Sequence, residues 1–330
     1  MTKVSAIVTT YNVQEYVAPA LQSAIDAGFD ELELIVVDDG STDRTRAIVD
    51  AIAAQPPAGV TFKLIYFSQN TVGGVASAAN AGMDTATGDV ILFIDGDDWI
   101  VPANANKAVR RLIENGDDFI VTDCQEYGNR TGRYVFYPEG AHWDCLPDAV
   151  TLEDRRSILL HMAPFPWRKI YRRSFIEEFN IRFPMGDFFF EDNPFHWHTT
   201  SLARSFSFMR EVTHVHRTDR EGQTIGAKGI RFMKIFDHAA IIRRQLEDWS
   251  LFEKHRMPYV NWLLRHVTWC AAHVPPSYLN EVFERSKPML RALTPDIFWS
   301  AVATSGFSAS DVRKVAAIYL DQRFEFLREF

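Results

Sequence analysis

The chain has 330 residues, of which 47% are hydrophobic and 24% charged, and its formal net charge at pH 7 is −8. This length allows one large or two modest domains, and the acidic balance argues against a general nucleic-acid binder. The three cysteines, Cys124, Cys145 and Cys270, match no metal-binding spacing, which argues against a zinc site or disulfide framework and favours a reduced, cytoplasmic setting.

Export and membrane signals are not expected in this sequence. Met1 leads directly into a strand-like run, without the basic, apolar and cleavage-site series of a signal peptide. No apolar stretch approaches the roughly 18 residues that a membrane-spanning helix needs. Any contact with a membrane would therefore be made from its surface.

The first third of the chain alternates strand and helix patterns. Apolar runs predict strands at 4–10, 32–37, 62–67 and 90–94, and helical spacing predicts helices at 14–27, 42–54 and 74–85. Such alternation is typical of βαβ units in an α/β fold with a mostly parallel sheet. The glycine-rich dinucleotide fingerprint and the lysine-containing phosphate loop are missing, which argues against hydride transfer and ATP hydrolysis.

Carboxylates follow two of these predicted strands. Asp38 and Asp39 end the second strand, and Asp95, Asp97 and Asp98 end the fourth. Ligands of open α/β sheets lie at the carboxyl ends of the strands, so the first pair predicts hydrogen bonds to a base or ribose. The second group predicts Mg²⁺ or Mn²⁺ on phosphates, since like charges this close need a cation or donors. The alternatives are a solvated acidic turn for the group and a helix N-cap or turn acid for Asp39.

Three short stretches together resemble glycosyltransferase family 2, the inverting enzymes with a GT-A fold. They are Val8-Thr9-Thr10-Tyr11-Asn12, Val36-Val37-Asp38-Asp39-Gly40-Ser41-Thr42-Asp43 and Ile94-Asp95-Gly96-Asp97-Asp98-Trp99. The resemblance runs from about Lys3 to Ile225. It implies a Rossmann-like, mostly parallel mixed sheet flanked by helices, followed by a C-terminal helical extension. The expected domains are a GT-A domain over 1–225, divided into a nucleotide-sugar half (1–115) and an acceptor half (116–225), and a helical region over 226–330.

The resemblance also implies residues that surround a nucleotide sugar. Thr10, Tyr11, Asn12 and Asp39 are expected around the base and ribose, and Asp95 would face the ribose or the sugar.

By the same resemblance, Asp97 would ligate a Mn²⁺ or Mg²⁺ ion on the diphosphate, and Asp98 is an additional candidate ligand. The sequence departs from the family at Ala78-Ala79-Asn80, where Ala-Arg-Asn is usual, so one nucleotide contact of the family is in question here.

The middle of the chain adds further candidates. Strands are predicted at 118–123 and 134–137, and a helix begins near Thr151. The stretch 167–173 resembles one that is common in bacterial polysaccharide members of the family, and Lys169 could neutralise phosphate. The alternative for this stretch is a solvated basic turn beside a buried Trp.

Glu191 and Asp192 resemble the catalytic-base motif of the family. In an inverting transfer a hydroxyl attacks the anomeric carbon, and because a hydroxyl is a weak nucleophile a carboxylate must take its proton. Asp192 is the predicted base, and Glu191 could instead bind an acceptor hydroxyl. The structural alternative is that the pair caps a helix beginning near Asn193-Pro194.

A basic, histidine-containing stretch follows. Alternation over 212–216 predicts a strand with His214 and His216 on one face. Family relatives have an aromatic residue or His followed by Arg here, then a mobile loop near the diphosphate. His216 is therefore a candidate metal or phosphate contact, with Arg217 or Arg220 as a phosphate clamp. A structural role for His216 is the alternative.

From Ile230 onward the apolar residues recur at helical spacing. Helices are predicted from about 230, over 259–274 and over 311–330. Their apolar stripes indicate packing faces, with a surface contact to the inner face of the cell membrane and homodimerisation as alternatives.

The sequence therefore predicts a glycosyltransferase of polysaccharide biosynthesis. It would move a sugar, most readily from a UDP-linked donor, to a saccharide or lipid-linked saccharide acceptor, with a divalent metal on the diphosphate. The alternatives are a nucleotide-sugar-binding module without turnover and a sugar nucleotidyltransferase. Neither the sugar nor the acceptor is encoded by a short motif.

Overall fold

The computed structural model describes residues 1–71, 73–186, 189–220 and 229–330. The chain packs as two compact units. The first unit comprises 1–158, 162–187 and 202–223, and the second comprises 159–161, 188–201 and 224–330. The domain boundary predicted at 225 and the loop predicted after Arg220 lie outside the described residues.

The first unit is built on one mixed sheet. Its strands are β1 Lys3–Thr10, β2 Glu31–Asp38, β3 Val60–Tyr66, β4 Val90–Asp95, β5 Trp99–Ile100, β6 Phe119–Gly128, β7 Arg133–Phe136, β8 Lys169–Arg172 and β9 Phe206–Thr218. The order is β3-β2-β1-β4-β8-β6-β9-β5, with β7 also paired to β6. Strands β1 to β4 are parallel, β8 is antiparallel to both neighbours, and β6 is parallel to β9.

Helices of the described part of the first unit lie between these strands. They are α1 Val17–Ile25, α2 Thr45–Ala53, α3 Gly74–Thr85, α4 Pro102–Asn115, α5 Gly140–Cys145, α6 Leu152–Leu159 and α7 Arg173–Glu178. The alternation of strands and helices confirms the predicted α/β class with a mostly parallel mixed sheet.

The register of β1, β2 and β4 brings their carboxyl ends to one edge of the sheet. Thr10 lies opposite Asp38 of β2, and Thr9 lies opposite Asp95 of β4. These strands form because nearly continuous apolar runs can be buried on both faces of a parallel sheet. Val8 and Ile94, next to the polar ends, are fully buried. The sheet core therefore fixes the position of the polar residues that follow each strand.

The stretch around Lys169 differs from its predicted alternative. Residues 169–172 form β8 between β4 and β6, and both Arg168 and Lys169 are fully buried. Arg168 forms an ion pair with Glu139. The solvated basic turn is therefore wrong, because a neighbouring carboxylate and carbonyl oxygens satisfy these charges inside the unit.

The second unit is helical. It contains most of α8 Asp192–Leu202, followed by α9 Lys234–Asp248, α10 Phe252–His273, α11 Leu279–Arg291, α12 Pro295–Thr304, α13 Ala309–Tyr319 and α14 Arg323–Leu327. The predicted stripe of α9 is buried through Ile235, Phe236, Ala239, Ile242 and Leu246, so its role as a packing face is confirmed. Among the described helices, none is long and apolar enough to cross a membrane.

The single helix predicted over 311–330 is wrong. The structure divides this stretch into α13 and α14. Asp321 lies between them with a φ of +61°, a left-handed conformation that cannot continue an α-helix.

Candidate functional site

The turn after β2 is organised by the buried carboxylate of Asp38. This carboxylate accepts hydrogen bonds from the Thr10 hydroxyl at 3.0 Å, the Ser41 amide at 2.9 Å and Arg46 Nε at 2.6 Å. Strands β1 and β2, the turn after β2 and helix α2 thus meet at the Asp38 side chain. Asp38 is a structural part of the site, and the hydroxyl of Thr10 is occupied in holding it.

Asp39 points to a different partner, the loop that precedes α3. Its carboxylate accepts bonds from the Thr71 amide at 2.9 Å, the Thr71 hydroxyl at 2.7 Å and Asn70 Nδ2 at 2.7 Å. The helix-cap interpretation of Asp39 is wrong, because α2 begins only at Thr45. Sequence reasoning missed Asn70 and Thr71, since a short polar loop carries no motif of its own.

Tyr11 and Asn12 form the turn after β1. Tyr11 is exposed, whereas Asn12 has a φ of +50° and joins this turn to the one after β2. Its side-chain oxygen accepts a hydrogen bond from the Thr42 backbone N–H at 2.9 Å, and its backbone N–H donates to the Ser41 hydroxyl at 2.9 Å. Both side chains are exposed, and that of Asn12 is engaged in the bond from Thr42.

The three carboxylates after β4 have unequal environments. Asp95 accepts from the Thr9 hydroxyl at 3.2 Å. Burial, followed by the charges of Asp98 and Asp97, raises the pKa of Asp95 to about 7. Burial and then Asp98 also raise the pKa of Asp97, although Arg220 opposes this effect. Crowding of negative charge is thus real at this strand end.

Asp98 is the anion around which the cluster is built. It accepts hydrogen bonds from His214 Nε2 at 3.1 Å, His216 Nδ1 at 2.9 Å and the Arg217 amide at 2.7 Å. Burial alone would raise the pKa of Asp98, but His216 and then His214 outweigh burial and hold it well below its usual range. The solvated-turn interpretation is wrong, because Asp98 is almost completely buried.

The two histidines lie on one face of β9, as predicted, but they differ in charge. Burial lowers the pKa of His214, and the bond to Asp98 does not fully offset it. For His216 burial is outweighed by Asp98, and the pKa rises to about 9. The indole of Trp167 stacks on both rings, with centroids 4.3 Å from His214 and 5.8 Å from His216. Trp167 is a further site residue that the sequence pattern did not assign.

The two predicted arginines also have different roles in the geometry. Arg217 donates from Nε to the Asp97 carbonyl oxygen at 2.9 Å, and its guanidinium lies over Tyr16 at 4.7 Å and Trp99 at 4.9 Å. Arg220 instead forms an ion pair with the Asp97 carboxylate. Arg217 therefore fixes the loop after β4, and Arg220 neutralises the Asp97 carboxylate.

The donors of this cluster fit a metal ion only in part. Among the residues that the structure describes, no group of three or more His, Cys, Asp or Glu side chains is arranged to hold a metal ion. Both oxygens of Asp98 accept hydrogen bonds, which does not fit its predicted role as a ligand. Asp97 is a suitable donor, and His216 becomes one once its Nε2 has lost a proton, which its raised pKa opposes. The bond from His216 Nδ1 to Asp98 resembles the carboxylate–histidine pairs that orient metal ligands.

Lys169 lies toward the carboxyl end of β4, where Leu92 pairs with Ile170, but its ammonium is engaged inside the unit. It is fully buried in β8, and its ammonium donates to the carbonyl oxygens of Phe165 at 2.9 Å and Pro164 at 3.3 Å. A phosphate contact would require these bonds to be exchanged.

Glu191 and Asp192 belong to the second unit. Asp192 is the first residue of α8, and Pro194 lies in its first turn, which confirms the predicted helix start. The Asn193 side-chain amide donates to Asp192 Oδ1 at 3.1 Å.

Comparison with known proteins gives a consistent result. The family model described as "Glycosyl transferase family 2" matches residues 5–190, more than half of the chain. The protein EpsH of Bacillus subtilis (strain 168) is 30% identical over 322 residues, which cover 94% of this chain and 89% of EpsH. Poly(ribitol-phosphate) beta-N-acetylglucosaminyltransferase TarS of Staphylococcus aureus is 27% identical over 258 residues, 78% of this chain and 42% of TarS.

Solved structures show the same fold. The crystal structure of S. aureus TarS 1-349 in complex with UDP-GlcNAc aligns with a TM-score of 0.79 at 21% identity, covering 99% of this chain and 90% of that one. The mannosyltransferase PcManGT from Pyrobaculum calidifontis, in complex with GDP-Man and Mn²⁺, aligns with a TM-score of 0.51 at 18% identity, covering 99% and 84%. The predicted GT-A architecture with a C-terminal helical region is confirmed.

Proposed function

Because the chain belongs to glycosyl transferase family 2, we propose that it transfers a sugar, with inversion, from a UDP-linked donor to a saccharide or lipid-linked saccharide acceptor. The observation that carries this proposal is the register that brings Thr10, Asp38 and Asp95 to one sheet edge. The TarS structure with UDP-GlcNAc supports the choice of uridine nucleotide. The protein would act at the cytoplasmic side of the cell envelope, in polysaccharide synthesis.

The donor is proposed to bind at the ends of β1, β2 and β4. Tyr11 is exposed and offers an aromatic face to a base. Asp39, held by Asn70 and Thr71, would accept a hydrogen bond from the base or ribose. Asp95 would accept one from a hydroxyl of the ribose or sugar. Its raised pKa reflects burial and the neighbouring acids.

A divalent metal is proposed to bind Asp97 and His216, and its charge would stabilise the departing diphosphate. The chain's own residues prepare these donors. Asp98 orients His216, and Arg217 fixes the backbone of Asp97. Arg220 holds the Asp97 carboxylate by an ion pair, so it must release this carboxylate when a metal binds, and can then face the diphosphate.

Asp192 is proposed as the general base. It would take the proton of the attacking hydroxyl as the new glycosidic bond forms. Glu191 would bind an acceptor hydroxyl. Asp192 suits this role because its position at the first turn of α8 and its bond from Asn193 fix the carboxylate.

Calorimetry with a panel of nucleotides, with and without Mn²⁺, tests the donor and metal assignments. We expect UDP to bind most tightly and Mn²⁺ to strengthen binding. Asp97→Ala should reduce the gain in UDP affinity that Mn²⁺ causes roughly 10- to 100-fold. Asp148→Ala, which removes an exposed acid of the same unit, should have no effect on this gain. Equal binding by both variants would contradict the metal assignment.

Transfer assays test the base. Asp192→Asn should preserve donor binding and lower kcat roughly 10²- to 10⁴-fold, because the amide cannot accept the proton. A normal kcat for this variant would show that another residue is the base.

A further inference from the structure

The residue before Glu191 and Asp192 has an unusual backbone conformation. Phe190 has a φ of +68°, which bulky non-glycine residues rarely adopt. Such a conformation costs on the order of 1–3 kcal/mol and persists only where surrounding contacts impose it. The contacts that impose it here can be identified within the second unit.

The first contact is made by α9. His238 is fully buried, and its Nε2 lies 2.7 Å from the carbonyl oxygen of Phe189. Burial lowers the pKa of His238 to about 4, so the ring is neutral at pH 7 and donates its Nε2 proton to this carbonyl. Because the bond is made to the backbone, it fixes the chain directly before the strained residue.

The second contact is aromatic packing around the Phe190 ring. Phe232 stacks on it with a centroid distance of 5.8 Å, and Trp269 of α10 meets it edge-on at 5.5 Å. Phe232 and Trp269 also pack against each other at 4.9 Å. The side chain is therefore held in a cluster that a relaxed backbone would disrupt.

The third contact reaches the carboxylate itself. Trp262 of α10 donates its indole N–H to Asn193 Oδ1 at 3.1 Å, and the other end of that amide donates to Asp192 Oδ1 at 3.1 Å. Asn193 and Trp262 are both nearly inaccessible to solvent. The indole therefore fixes which end of the Asn193 amide faces Asp192, since an indole nitrogen can only donate.

We propose that α9 and α10 position the catalytic base, with Trp262 and Asn193 orienting the Asp192 carboxylate and His238 holding the turn that carries it. The C-terminal helices are then part of the catalytic machinery. This inference rests on the proposed role of Asp192. Trp262, Asn193 and His238 are positioning residues, because each acts through Asp192 or through its backbone.

The sharpest test removes one hydrogen bond and keeps an aromatic ring. Trp262→Phe should lower kcat about tenfold or more and leave the donor KM unchanged, because a displaced base affects chemistry and not donor binding. Turnover is measured as the rate of UDP release from UDP-GlcNAc, with Mn²⁺ present and water as the acceptor. This rate is divided by the amount of protein that binds UDP in calorimetry.

Trp197→Phe is the matched control. Trp197 is a fully buried indole of the same unit, and its N–H has no hydrogen-bond partner among the described residues. Both variants lose the same atoms from the same core and should lose thermal stability, and Trp262→Phe should lose somewhat more because it leaves the buried Asn193 Oδ1 without its donor. Only Trp262→Phe should lose kcat. If both variants lower kcat equally, the effect is general destabilisation and the inference is overturned.

A second pair of variants tests α9. His238→Gln retains a side-chain donor for the Phe189 carbonyl, whereas His238→Leu does not. We expect Gln to recover most of the kcat that Leu loses. Equal kcat values for the two variants would contradict a role for the hydrogen bond.

A double-mutant cycle separates this inference from the proposed function. In the Asp192→Asn background, Trp262→Phe should cause little further loss, since its effect passes through the base. A normal kcat for Asp192→Asn would overturn the base assignment and, with it, this inference. A large loss for Asp192→Asn with a normal kcat for Trp262→Phe would overturn only the positioning role.

Discussion

Asp97 and Asp98 are adjacent in the chain, yet their side chains have different partners. Asp98 is enclosed by His214, His216 and the Arg217 amide, whereas Asp97 forms an ion pair with Arg220. The partners of Asp98 lie 116 to 119 residues away in the sequence. No local pattern can therefore tell that Asp98 is bonded inside the cluster while Asp97 is paired with Arg220.

Gly40 offers a test of the turn that carries Asp39. It has a φ of +80°, and a Cβ atom placed there would lie 2.2 Å from the carbonyl carbon of Gln69. Gly40→Ala should therefore lower the free energy of unfolding by about 3 kcal/mol or more, from backbone strain plus the clash. It should also weaken UDP binding, because the displaced loop carries the partners of Asp39. Urea unfolding and calorimetry measure the two effects.

Gly28→Ala is the control for this substitution. Gly28 has a similar φ of +64°, but a Cβ atom would meet nothing within 4 Å. We expect a cost of only about 1–2 kcal/mol, which is that of the left-handed conformation alone. Equal losses in the two variants would show that the contact with Gln69 is unimportant.

At the scale of elements, the sequence predicted the strands and helices that have a regular pattern of apolar residues. Strands β1 to β4 and helix α3 were found because apolar runs and helical spacing are local signals. Strand β8 was missed because Arg168 and Lys169 look solvated in the sequence. Their burial depends on Glu139 and on two carbonyl oxygens, and these partners are visible only in the fold.

The packing of β1, β2 and β3 depends on a second buried carboxylate, Glu33. Its carboxylate accepts hydrogen bonds from the Ser5 hydroxyl of β1 at 2.7 Å and from the Thr87 amide at 2.9 Å. It also forms an ion pair with Lys63 of β3 at 2.7 Å. Burial would raise the pKa of Glu33, but Lys63 and the hydrogen bonds outweigh it and lower the pKa to about 2. Ionised Glu33 is therefore favoured in the folded state.

This depressed pKa predicts how stability changes with pH. The stabilisation by Glu33 is fully present above its unfolded pKa, near 4.5, and is lost as pH falls toward about 2. Glu33→Gln should lower the free energy of unfolding by about 2–3 kcal/mol at pH 7 and flatten its pH dependence between 4.5 and 2. Glu31→Gln, at an exposed position of the same strand, should change neither. Urea unfolding at several pH values measures both; an unchanged slope in Glu33→Gln would contradict the assignment.

At the scale of the whole molecule, the residues proposed for the donor and the residue proposed as base belong to different packing units. The sequence predicted both groups from their resemblance to a family. It could not predict that the segment 189–201 packs with the C-terminal helices, because the contacts of Phe190 and Asn193 come from residues 232–269. Helical stripes indicate that a face is buried but not which segment covers it.

The three cysteines allow the two units to be followed separately. Cys145 is exposed, whereas Cys124 in the first unit and Cys270 in the second are buried. Burial raises the pKa of both buried thiols to about 12, which suppresses the reactive thiolate. At pH 8 the native protein should therefore react quickly with iodoacetamide at one thiol, and Cys145→Ser should react at none.

In urea, labelling of Cys124 and Cys270 should then report the opening of each unit in one experiment, read by mass spectrometry of the two peptides. Trp262→Phe and Trp197→Phe should both accelerate labelling of Cys270 and leave Cys124 unchanged, because both indoles pack in the core that contains Cys270. The labelling rate measures how far each variant opens the second unit, so a loss of kcat in Trp262→Phe out of proportion to its labelling rate is assigned to orientation of Asp192. Fast labelling of either buried thiol in native Cys145→Ser would contradict the packing on which the comparison depends.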